Sequence, residues 1–201
     1  MLTSTYTLVA LSIEQASARH GLQALLERWQ AGARRYAEPS RRQLELACDA
    51  LRLAFDNCHW RKLDRFVIPA LRRAGAVQAL LAELDALTLA AIEARADAHA
   101  AAALQDPGFA EAVERCCTLL LQRLEREERE LFPLARTHVP SEVWFAIANQ
   151  MMAHEAWRIE NRGCPAGPMP AAAMARHSTR QGPFLAAPHH GSPQGAYLAA
   201  H

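Results

Sequence analysis

Up to about residue 160, apolar residues recur at spacings of three and four, and Gly and Pro fall between the periodic segments. Ala, Leu, Glu and Arg dominate there, and β-branched residues are scarce, which is the composition of helices rather than strands. Five helical stretches are punctuated. The first is expected from about Ser12, in the capping-box pattern SIEQ, to near Gly32, with Leu22, Leu25, Leu26 and Trp29 on one face. The second opens at Ser40 in SRRQ, after Pro39, and ends before Gly75. The third covers about Ala76 to Ala102, with Val77, Leu80, Leu81, Leu84 and Ile92 on one side. The fourth follows the turn Asp106-Pro107-Gly108 and reaches about Thr137. A short fifth follows Pro140-Ser141. Four long amphipathic helices with short links predict an all-α, up-down-up-down four-helix bundle over residues 1–160.

Beyond Glu160 the pattern ends. Residues 161–201 hold no acidic residue and are rich in Ala, Pro and Gly, so they are expected to form a disordered tail. Its histidines, His177, His189, His190 and His201, are read as part of an unselected low-complexity extension.

Within the helical part, one stretch repeats another. Aligning Pro69 of CHWRKLDRFVIPAL with Pro133 of LQRLEREERELFPLA sets Asp64 on Glu128, Arg65 on Arg129, Val67 on Leu131 and Ile68 on Phe132. A proline inside a helix costs roughly 3 kcal/mol unless it lies near an end or a kink. Two at matching places suggest two related hairpins closing one bundle. Helical spacing turns Phe55, His59, Leu63, Phe66 and Ala70 inward on the second helix, and Cys116, Leu120, Arg123, Glu127 and Leu131 on the fourth. A histidine and a carboxylate four residues apart on facing helices is how bundles build metal centres, and that ligand set suits iron, manganese or zinc. Each half here keeps one member of such a pair.

These segments resemble the hemerythrin-like, HHE cation-binding family. The family's second helix is similar to C-H-H-x-K-E-E-x-x-L-F-P-A-L, and this chain matches at Cys58, His59, Lys62, Pro69, Ala70 and Leu71, with Asp64, Val67 and Ile68 conservative. Its fourth helix is similar to H-L-x-x-E-E-x-x-L-F-P, matched by Leu124, Glu127, Glu128 and Leu131-Phe132-Pro133. The resemblance implies a di-iron centre held by histidines and bridging carboxylates, serving oxygen, nitric oxide or iron sensing. Carried over, it leaves His59 and Glu127 at ligand positions, while Leu63 and Arg123 replace a bridging carboxylate and a histidine. The third-helix histidine would fall near Asp85 to Thr88, where none occurs, and His99 lies about three turns too late. On the first helix the count falls on Arg19, with His20 beside it pointing off the apolar stripe.

The remnant metal positions are therefore His59, Glu127 and His20, with Arg19 and Arg123 as residues that replace a metal by pairing with Glu127. The reading is a hemerythrin-like protein whose di-iron centre has eroded, without catalysis or cofactor, serving as a regulatory or interaction module. The alternative is an iron-binding protein that retains a mononuclear site, with Asp85 joining the remnant ligands, or a partial di-iron site, for oxygen, nitric oxide or iron sensing or storage. The run Glu125–Glu130 reads as a solvated face. Trp60 is expected at a helix boundary or plugging the former site. Cys116 and Cys117 are expected to be buried and inert. His154 follows Met151 and Met152 without any haem-attachment motif.

The remaining classes are excluded by composition. With 22 basic against 21 acidic residues, of which only Lys62 is lysine, nothing points to nucleic acid. No apolar run reaches the roughly 18 residues of a membrane span, and the N-terminus lacks a secretory pattern. Five cysteines make no disulfide framework, so the cytoplasm is the expected compartment. A protein partner or a homodimer through Trp144 or Trp157 remains open.

Overall fold

A computed structural model describes residues 2–35, 39–59 and 61–160. Trp60 and the tail at 161–201 lie outside them. The described residues form helices joined by short turns, without a strand: α1 (Leu2–Arg35), α2 (Arg41–His59), α3 (Ile68–Arg73), α4 (Gln78–Leu104), α5 (Phe109–Arg126), α6 (Phe132–His138) and α7 (Ser141–Glu160). Two π-helical turns, Leu63–Val67 and Glu127–Leu131, lead into α3 and α6. α1 packs on α2, α5 and α7, α2 on α4, and α4 most closely on α5.

Several boundaries move from their expected places. α1 begins ten residues before Ser12, whose hydroxyl donates to the Leu8 carbonyl (2.9 Å) from inside the helix. A serine that bonds back one turn is no cap. Ser40 does cap α2: its N–H donates to Gln43 Oε1 (2.7 Å), and its hydroxyl accepts from the Gln43 N–H (3.4 Å). Asp106 Oδ1 accepts the Gly108 N–H (2.6 Å), folding the turn that precedes α5. α7 is not short but runs 20 residues. Trp144 is buried within it, so it cannot serve as a dimer contact, and Trp157 is half-buried against His154.

The internal repeat survives as backbone geometry. Each π turn closes with an N–H bonding back five residues, Ile68 to the Leu63 carbonyl and Phe132 to the Glu127 carbonyl. Pro69 and Pro133 each come one residue later. A proline lacks the N–H and crowds the carbonyl four residues before it. A widened turn immediately upstream loosens that crowding, so two identical local problems have one solution.

The core divides in two. One apolar cluster holds Leu22, Leu51, Phe55, Cys58, Ala91, Phe109, Cys116 and Leu124, with Trp29 edge-on to Phe109 at 4.8 Å. The other holds Leu11, Leu63, Leu71, Leu84, Leu131, Ala135 and Trp144. On α4 the buried stripe passes from Leu80, Leu81 and Leu84 to Ala91, Ala94 and Ala98, whereas Ile92 is exposed. Small alanines let α4 approach its neighbours closely. Between the clusters, at the level of Gln15, Arg61, Arg123 and Glu127, lies a layer of buried polar side chains.

Candidate functional site

The centre of the layer is Glu127. It opens the second π turn, faces inward as helical spacing predicts, and has 0% of its surface exposed. A carboxylate so placed needs a counter-charge, because an isolated buried charge is very costly. Arg61, 2% exposed, supplies it. Its two terminal nitrogens donate to the two Glu127 oxygens, each at 2.7 Å. Its Nε donates to the Cys58 carbonyl at 2.6 Å, and one terminal nitrogen also reaches Asp64 at 3.3 Å. Burial works against the charged guanidinium, but the charge and hydrogen bonds of Glu127 outweigh it and hold the Arg61 pKa above its ordinary value. A planar fork on a planar carboxylate is the strongest form of ion pair that side chains make.

Arg123 completes the layer from α5. It donates to Asp64, and its Nε lies 3.3 Å from Glu127 Oε1, close enough for charge attraction but without hydrogen-bond geometry. Asp64 is 19% exposed and stands between two guanidinium groups. From α1, Gln15 donates to the Leu124 carbonyl just upstream of the second π turn. Glu14 beside it accepts the Lys62 N–H (2.9 Å), capping the chain where it resumes helical form after Arg61. Burial raises the Glu14 pKa, partly offset by that hydrogen bond and the nearby Lys62 and Arg61 charges.

The sequence-predicted positions are only partly brought together. Glu127 and Arg123 lie side by side in the layer. His59 is half-buried at the end of α2, stacked on Phe55 at 5.7 Å between centroids, and Arg95 lies over the other ring's centroid at 4.3 Å. Arg19 does not reach Glu127; it pairs with Glu128 at 2.8 Å near the surface. His20 is exposed and faces away from the layer, because α1 turns Leu11, Gln15, Ala18, Leu22 and Leu25 inward instead. Asp85 is exposed and held by Arg72 at 2.6 and 2.8 Å, and His99 is exposed. Leu63 packs in the core.

Sequence reasoning missed Arg61, Gln15, Glu14 and Asp64. Gln15 was within reach, since extending the stripe upstream from Leu22 passes through Ala18 and Gln15 to Leu11. Arg61 was not. The helix is interrupted after α2, so helical spacing says nothing about where its side chain points.

The residues do not fit a di-iron centre. Both oxygens that would bridge metal are bound to Arg61, and among the described residues no three His, Cys, Asp or Glu side chains converge. No helix of the described residues is long and apolar enough to cross a membrane. Cys48, Cys58, Cys116 and Cys117 are free and buried, and burial pushes the thiol pKa of Cys58 and Cys116 up to about 11 and of Cys117 to about 12. Comparison with protein-family models, curated proteins and solved structures finds no match.

Proposed function

We propose that the chain is a hemerythrin-like, up-down-up-down four-helix bundle in which a guanidinium does the work of a cation, and that it serves in the cytoplasm as a non-catalytic regulatory or interaction module. The observation that carries this reading is the two-pronged Arg61–Glu127 pair at the centre of the buried layer. In a metal bundle a buried carboxylate is neutralised by the ion. Here a guanidinium fills that electrostatic role and leaves both oxygens engaged. Matching π turns before Pro69 and Pro133 support descent from two related hairpins. The packing of α1 on α2 and α5, and of α4 on the same two helices, supports the four-helix arrangement. Four free thiols among the described residues support a reducing compartment.

The test is metal content. The full chain, with His177, His189, His190 and His201 changed to alanine so that the tail cannot scavenge ions, is expressed with iron supplementation and purified without chelator. Iron, manganese and zinc well below one per chain are expected. One or two bound irons per chain would refute the reading and restore a metalloprotein.

A further inference from the structure

Outside the buried layer, a cleft of about 410 Å³ opens between the first π turn, α3, α4 and α5. Arg61 and Arg123 form its floor beside Asp64; Arg65, Arg72, Asp85 and Thr88 line its sides with His59, and Ile68 and Pro69 give it an apolar wall. Counting Glu127 behind the floor, arginines outnumber carboxylates by one. The surplus can be located. Arg61 and Arg123 are committed to Glu127 and Asp64, and Arg72 to Asp85. Arg65 has no carboxylate partner among the described residues; it contacts His154 Nε2 at 3.1 Å. Burial and the neighbouring Arg65 and Arg158 charges lower the His154 pKa, and a neutral imidazole offers Arg65 no counter-charge. The Arg72–Asp85 pair is half-exposed on both sides, and exposed pairs exchange partners at little cost.

We infer that this cleft binds a small organic anion, its phosphoryl or carboxylate head held between Arg65 and Arg72 and its apolar body against Ile68 and Pro69. Guanidinium groups recognise such oxyanions by paired, charge-assisted hydrogen bonds, and the volume is that of small-molecule sites. A cation is repelled by the same surplus. The cleft carries this property whether or not the bundle descends from a metal protein.

The experiment is isothermal titration of the full chain at low ionic strength with phenyl phosphate and with benzoate, which separate a phosphoryl from a carboxylate preference. Saturable binding of at least one is expected. It should weaken by about tenfold in Arg65→Gln, the loss of one charge-assisted contact, and measurably in Arg72→Gln. Arg52→Gln, an exposed change on α2 outside the cleft, should leave it unchanged. Circular dichroism verifies each fold. Should Arg65→Gln unfold, Arg72→Gln decides, because its side chain sits at the exposed rim. No binding of either probe, or binding that neither cleft variant weakens, overturns the proposal.

Discussion

Replacing Arg61 by methionine should destabilise the protein strongly. The side chain makes two 2.7 Å bonds to a carboxylate with no exposed surface, a 2.6 Å bond to the Cys58 carbonyl and a longer contact to Asp64. Methionine fills much of the same volume but leaves Glu127 charged, buried and deprived of its main partner. Breaking a buried pair from one side costs about 3–5 kcal/mol. Arg123, 3.3 Å away, supplies some residual compensation, which places the expected loss toward about 3 kcal/mol. For a chain of this size each kcal/mol moves Tm by roughly 2–4 °C, so a fall of at least about 6 °C is expected in a thermal melt followed by circular dichroism. The double variant Arg61→Met, Glu127→Leu removes both charges and should recover most of that loss, because a buried ion pair contributes little net stability over apolar groups. The double-mutant cycle then yields a coupling energy of about 2–3 kcal/mol. An Arg61→Met protein with unchanged Tm, or a double variant no more stable than the single one, would refute the reasoning.

Arg123→Ala should cost less, about 1–3 kcal/mol by denaturant titration, since Arg61 still holds Glu127 and the partly exposed Asp64 can reach water. Stability should fall as pH drops from 7.5 toward 5.5: the His154 pKa is depressed in the folded protein, so the unfolded chain takes the proton first, below the ordinary value of 6.5. His154→Asn should flatten that slope, as read by Tm against pH. Cys58, Cys116 and Cys117, with thiol pKa values raised to about 11, 11 and 12, should resist iodoacetamide at neutral pH and react once the chain is unfolded, as mapped by mass spectrometry. Ser40→Ala should cost about 1 kcal/mol through loss of the α2 cap.

Much of this was legible in the residues. Helical spacing alone turned Cys116, Leu120, Arg123, Glu127 and Leu131 inward, and all five are buried. The match between the segments around Pro69 and Pro133 pointed to two related hairpins, but it gave no sign that each helix would break into a π turn just before its proline. The idea that arginine neutralises Glu127 was also readable, because Arg123 lies one turn from it on the same face. Which arginine does so was not. Arg19 sits on the flank of α1 and finds Glu128, whereas Arg61 enters from a break in the helix where no period applies. Ser12 misled for a related reason: a capping-box pattern is a local signal, and α1 has apolar partners further upstream, Leu11 among them, that extend the helix past it.

The layered core has a mechanical consequence. Apolar helices can slip past one another with little penalty, since one leucine fills another's place. A slip of α5 by one turn, about 5.4 Å, would carry Glu127 away from Arg61 and into an apolar cluster on either side. The ionic layer therefore works as a detent. It fixes the axial register of α5 against the segment that follows α2, while the two greasy halves above and below supply most of the cohesion.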